Sequence, residues 1–303
     1  MKTMFRLLGT FLNALAGLSP SLAGQLGFQL FCYPVRRKIS AKQRQFLTSA
    51  KSFELAVEGE RLVGYRWGWG PTQILLLHGW GSDSYFWRSL VESLSQHDYS
   101  LAAFDAPGHG LSTGSEFHFP RYRECIRACF AQQGPFHAIV GHSFGAAAAY
   151  FTLTTTPSLQ VQGLCMVATP SRLADFLTQW SALLGLNERV QQQIVAQGKR
   201  KLGISIPEFS FDAFAPLSNT AGLILHDPAD PESPYAGAEG LAKLWPNAEL
   251  IEMPGEGHNM RSARVNTQIR GFLALNAPSG IEHDKPEHLL TPDDLFATTA
   301  VNA

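Results

Sequence analysis

Ser143 is the residue around which chemistry can be built. It sits in Gly141-His142-Ser143-Phe144-Gly145, with Ile139-Val140 before it and Ala146-Ala147-Ala148 after it. A Gly-x-Ser-x-Gly run between a strand and a helix makes a sharp turn that lifts the serine above the sheet. Glycine at 141 and 145 lets strand and helix approach closely around that turn. Free N–H groups and the dipole at the helix N-terminus favour negative charge, which suits an oxyanion. Further segments hold acid–base residues or turn glycines: His78-Gly79-Trp80-Gly81, the stretch Asp105-Ala106-Pro107-Gly108-His109-Gly110-Leu111-Ser112, the pair Asp227 and Asp230, and Gly255-Glu256-Gly257-His258.

Each of these segments follows a run that reads as a strand. Ile74-Leu75-Leu76-Leu77 is continuously apolar, as in a strand buried on both faces, and it runs into His78. Residues 100–104 lead to Asp105, 136–140 to the serine turn, 223–225 to His226 and Asp227, and 249–252 to the His258 loop. Two earlier strands, 52–57 and 61–67, pair across Glu58-Gly59-Glu60. Helical periodicity fills the gaps at about 84–94, 121–132, 146–154, 238–244 and 264–274. Strands alternating with helices predict an α/β fold, a mostly parallel central sheet with helices on both faces. Ligands bind such sheets at the carboxyl ends of the strands, where all of these segments lie. Residues 171–214 show helical spacing (Phe176, Leu177, Trp180, Leu184, Val190, Ile194) and no buried strand, which predicts a helical insertion. The core then comprises 51–170 and 215–275.

These motifs resemble those of the α/β-hydrolase superfamily over roughly residues 52–275. His78-Gly79-Trp80-Gly81 resembles its oxyanion loop, Asp105 to Ser112 its D-x-P-G-x-G-x-S turn, and the Ser143 turn its nucleophile elbow. Asp230, ahead of Ser233-Pro234, fits the acid loop, and Gly255 to His258 is similar to the histidine loop. The resemblance implies a catalytic triad with Ser143 as nucleophile, His258 as base and Asp230 as the acid that orients it. Asp227 stands where glycine is common and is a second candidate acid. The implied oxyanion donors are the backbone N–H groups of Trp80 and Phe144. Serine at the elbow, where related dehalogenases and epoxide hydrolases carry aspartate, points to acyl transfer to water. His78, Tyr85, Phe86 and Trp180 are expected at the substrate pocket, which suggests an apolar acyl group; the insertion at 171–214 is expected to act as a cap. His142 reads as a polar spacer, and Asp105 and His109 as turn structure. The leading expectation is a carboxylic-ester hydrolase. Thioester, amide or lactone hydrolysis and a slow-turnover ligand receptor are the alternatives, since fold alone does not fix function. No metal or cofactor is implied.

Composition limits the partners. The 303 residues are 45% hydrophobic and 16% charged, and the formal net charge of -1 argues against a nucleic-acid surface. Cys32, Cys125, Cys129 and Cys165 have no zinc-site spacing and read as small buried hydrophobes. Residues 1–50 form an N-terminal unit. Phe5, Leu8, Leu12 and Leu15 recur at helical spacing opposite Lys2, Arg6, Thr10 and Asn13, and Ser19-Pro20 opens a second helix. Three readings of residues 1–31 stand side by side: helices packed on the domain, a signal cleaved near Ala14-Leu15-Ala16 with export, or a membrane-surface segment. The first and third place the chain in the cytoplasm, free or membrane-associated. Residues 34–50 read as a solvated basic connector. Residues 276–303 are polar and non-periodic and read as a flexible tail.

Overall fold

Strand patterning accounts for the architecture seen in the computed structural model, which describes residues 2–94, 98–170, 172–214 and 216–277. The segment read as a tail lies outside the described residues from 278 onward. Three helices come first: α1 (Lys2–Leu18), α2 (Pro20–Phe31) and α3 (Ala41–Leu47). Then follow β1 (Lys51–Val57), β2 (Glu60–Trp67), β3 (Thr72–Leu77), α4 (Arg88–Ser93), β4 (Tyr99–Phe104), α5 (Phe119–Gln133), β5 (Ala138–His142), α6 (Phe144–Thr155) and β6 (Gly163–Val167). The insertion contributes α7 (Leu173–Leu184) and α8 (Glu188–Leu202), and the chain ends with β7 (Ala221–His226), α9 (Tyr235–Leu244), β8 (Ala248–Glu252) and α10 (Ala263–Leu275).

The eight strands form one sheet in the order β1-β2-β4-β3-β5-β6-β7-β8. The β1–β2 and β2–β4 pairs are antiparallel; every later pair is parallel. Because side chains alternate across a strand, each central strand feeds two cores. Leu75 and Leu77 of β3 enter the core under α5, α6 and α9, whereas Ile74 and Leu76 enter the one under α4 and α10. Both faces are covered, so β3 and β4 show no polar alternation.

A third apolar cluster joins the chain's beginning to the insertion. Leu12, Ala16, Ala23, Phe28 and Phe31 of α1 and α2 pack on Leu177, Leu184, Val190 and Ile194 of α7 and α8. The helices meet closely because glycines line the contact: a Cβ on Gly24 would lie 2.4 Å from Gln193 Cβ, and one on Gly9 would strike the Leu184 carbonyl. Asn13, expected on a solvent stripe, instead donates to Gly185 O at 2.8 Å and accepts from Asn187 N–H at 2.9 Å. It ties α1 to the insertion. The opposite side of α1 exposes Met4, Leu7, Phe11 and Leu18, so the helix is apolar on two faces. Among the described residues no helix is long and apolar enough to cross a membrane.

The stretch 34–50 is more than a solvated connector. Ser40 and Gln43 form a reciprocal capping box that starts α3, and Arg36 donates to Ser112 O at 2.6 Å. The capping signal is local, but the Arg36 contact spans 76 residues and needs the finished fold.

Candidate active site

The turn at Ser143 is strained, and its neighbours explain why it persists. Ser143 has φ 50° and ψ -123°, a region that costs a non-glycine residue about 1–3 kcal/mol. A Cβ on Gly141 would lie 2.5 Å from Ala146 Cα, and a Cβ on Gly145 2.5 Å from the carbonyl oxygens of Leu77 and His78. Only glycine fits at either position, so the elbow locks β5, α6 and the end of β3 together. Phe144 opens α6, which leaves its N–H without an intrahelical acceptor. The loop from His78 to Gly81 lies over the turn: a Cβ on Gly79 would be 3.0 Å from Ser143 Cβ.

The tertiary fold brings Ser143, Asp230 and His258 together across 115 residues of chain. His258 Nε2 lies 3.0 Å from Ser143 Oγ, and His258 Nδ1 lies 2.8 Å from Asp230 Oδ2. Asp230 Oδ1 accepts the backbone N–H of Glu232 at 2.8 Å and of Ser233 at 3.2 Å. Burial pushes the Asp230 carboxyl up, but the His258 hydrogen bond and these two amides outweigh it and hold the group below its ordinary value. The carboxylate therefore stays ionised. It fixes the proton on Nδ1, so Nε2 presents its lone pair to the Ser143 hydroxyl.

Asp227, the rival acid, is occupied elsewhere. Its Oδ1 accepts the N–H of Ala229 at 2.9 Å and its Oδ2 that of Gly257 at 2.5 Å. It joins the loop after β7 to the loop carrying His258 and makes no hydrogen bond to the imidazole.

Two histidines brace the loop above Ser143. His78 Nε2 accepts the N–H of Ala106 at 3.0 Å while its Nδ1 faces Gly79 O at 2.8 Å. His109 Nε2 accepts the N–H of Gly81 at 3.0 Å. Burial and the neighbouring His78 press His109 down to about 3, so its ring stays a neutral acceptor. Asp105 accepts from Ser84 N–H, Ser84 Oγ–H and Leu111 N–H, and a Cβ on Gly110 would overlap its carboxylate. These contacts are structural, as the turn-rich sequence suggested. Tyr122, which no local pattern marks, donates to His78 O at 3.0 Å from α5.

His142 is not a mere spacer. Its Nε2 lies 2.8 Å from the carbonyl of His258, and its ring stacks on Phe86 with centroids 4.2 Å apart. Burial, with His258 close by, lowers it to about 3. The neutral ring must carry its proton on Nε2 to donate there. His142 thus holds the backbone of the residue that faces Ser143.

A cleft of about 210 Å³ opens at Ser143 and His258. Trp80 and Phe86 line it, together with Phe176 of the insertion and the polar residues Arg37, Gln179, Glu232 and Arg261. Three residues expected at the pocket do not line it. His78 is buried as a brace, Tyr85 packs edge-on against Phe46, and Trp180 packs edge-on against Phe31. Aromatic character marked them, but residue type alone does not say which way a ring turns. Phe176 and Arg37 were missed because their approach to Ser143 depends on how the insertion and connector fold back. Among the described residues no group of three or more His, Cys, Asp or Glu side chains is arranged to hold a metal ion.

Comparison with known proteins gives the family and the fold. Residues 74–265 match the Alpha/beta hydrolase family, and the chain belongs to it. A curated relative, a serine hydrolase-like protein of Danio rerio, is 30% identical over 165 residues, covering 50% of this chain and 49% of that protein. The match thus spans about half the relative's length. Solved structures share the fold: a membrane phospholipase A described as a bacterial virulence factor has a TM-score of 0.61 at 19% identity, covering 88% of this chain and 98% of its own. An esterase from Rhodococcus sp. ECU1013 has a TM-score of 0.57 at 19% identity, covering 76% of this chain and 100% of its own.

Proposed function

We propose that the chain is a serine hydrolase that cleaves carboxylic esters through an acyl-enzyme. The observation that carries this reading is the unbroken line of hydrogen bonds from Ser143 Oγ through His258 to Asp230. Ser143 Oγ attacks the ester carbonyl as its proton passes to His258 Nε2, and Asp230 stabilises the imidazolium. The carbonyl oxygen becomes an oxyanion facing the N–H groups of Phe144 and Trp80, which packed turns hold in place. Collapse of the intermediate breaks the ester C–O bond, and His258 returns the proton to the departing alkoxide. Water, deprotonated by His258, then attacks the acyl-enzyme and releases the acid and free Ser143. The Alpha/beta hydrolase membership and the serine hydrolase-like relative support a hydrolytic role.

The test is a fluorophosphonate probe with p-nitrophenyl esters and the matching acyl thioesters. Wild type is expected to label at Ser143 and turn over esters faster than thioesters, and Ser143→Ala to do neither. An unlabelled Ser143 in folded protein overturns the hydrolase reading; thioesters turned over faster than esters overturn the ester assignment.

A further inference from the structure

A second cavity lies behind the Ser143 cleft. Phe28, Phe31 and Cys32 from α2 and its end wall one side, and Ile204 and Ile206 close another. Trp80 and Phe144, the residues whose amides face the oxyanion position, form its front. Trp80 and Phe176 line both this cavity and the cleft, so the two spaces adjoin at these side chains.

Three separate units meet at this boundary. Trp80 comes from the loop after β3, Phe176 from α7 and Phe31 from α2. Their ring centroids lie 5.3 Å apart for Trp80–Phe176, 5.4 Å for Phe31–Phe176 and 6.5 Å for Phe31–Trp80. Phe144 is fixed behind them by stacking on Phe119 at 4.0 Å.

The cavity suits hydrocarbon. No Lys, Arg, Asp or Glu lines it among the described residues. The two titratable groups facing it are held neutral: burial pushes the Cys32 thiol up to about 12, and burial with nearby Arg121 brings His118 down to about 4. A polar ligand entering such a space loses its water with few partners in return. The cleft in front is polar, with Arg37, Gln179, Glu232 and Arg261. An acyl carbonyl held at Phe144 and Trp80 therefore has an apolar space on one side and a polar one on the other.

We infer that this cavity is the acyl-chain site, that α2 of the N-terminal pair is its specificity-determining wall, and that it takes short apolar acyl groups. The inference rests on the ester-hydrolase reading above. The enclosed space, about 20 Å³, has room for about one or two water-sized groups, so chains beyond about four carbons meet the Phe28 wall. Each methylene housed is worth about 0.8 kcal/mol, or about fourfold in kcat/KM.

The experiment measures kcat/KM for p-nitrophenyl acetate, butyrate, hexanoate and octanoate on the full chain. Wild type is expected to peak at butyrate and fall about tenfold by octanoate. Phe28→Ala opens the wall and should raise the octanoate-to-acetate ratio about tenfold. Ile204→Trp fills the space and should lower the butyrate-to-acetate ratio about tenfold. Circular dichroism and the fluorophosphonate labelling rate verify each fold. Ratios within twofold of wild type in a folded variant overturn the inference while leaving the esterase reading intact. If neither variant folds, the wild-type profile decides: a flat profile from acetate to octanoate overturns it. An unlabelled Ser143 with no ester turnover in wild type is the distinct failure of the esterase reading itself.

Discussion

Two carboxylates three residues apart should behave oppositely when neutralised. Asp230 Oδ2 holds His258 Nδ1 at 2.8 Å with its side chain fully buried, whereas Asp227 holds the amides of Ala229 and Gly257. Asp230→Asn keeps size but presents a neutral amide to Nδ1, which allows the wrong tautomer and leaves the imidazolium uncompensated. The expected loss in kcat is about 10³- to 10⁴-fold, or about 4–5.5 kcal/mol of barrier. Asp227→Asn loses a charge-assisted bond to a loop amide, worth about 1.5–3 kcal/mol of stability. That corresponds to a Tm lower by about 2–5 °C, with kcat within about tenfold of wild type. The assay is steady-state hydrolysis of p-nitrophenyl acetate beside a thermal melt of each variant. A larger kcat loss in Asp227→Asn than in Asp230→Asn refutes the assignment of the acid, and equal losses refute the separation of their roles.

Further outcomes follow from other contacts. His142→Leu removes the donor to the His258 carbonyl and should lower kcat about 10- to 100-fold, with partial recovery in His142→Gln, because an orphaned buried carbonyl costs about 1–3 kcal/mol; unchanged kcat in a folded His142→Leu contradicts the brace. Gly145→Ala drives a Cβ to 2.5 Å from two carbonyl oxygens and should cost at least about 1–3 kcal/mol in a urea melt, or prevent folding. Stability should also fall in acid. His109 and His142 sit at about 3 in the fold against an ordinary 6.5, so the unfolded chain binds protons first and stability present above pH 6.5 is lost between 6.5 and 3. At pH 5 the two together remove about 4 kcal/mol, read as a drop in the urea midpoint. A midpoint that holds steady from pH 7 to 5 contradicts neutral burial of these rings.

What the chain says by itself concerns short-range constraints. Ile74 to Leu77 had to be a doubly buried strand, Gly141 and Gly145 had to flank a tight turn, and Ser143, Asp230 and His258 each had to fall at a strand's carboxyl end. These follow from side-chain volume, backbone freedom and period, which act within a few residues. Even the capping box of Ser40 and Gln43 was written locally, although the connector's basic charge obscured it. Tertiary structure decided what depends on distant partners. Asp227 and Asp230 look alike in sequence and part company only when Gly257 and His258 arrive from the loop after β8. His142 gains its task from a carbonyl 116 residues away. Phe31 and Phe176 meet Trp80 only because α2 and α7 pack over the same strand ends. Local pattern reports which face of an element is apolar; which ring completes a cavity is set by the packing of three units against one another.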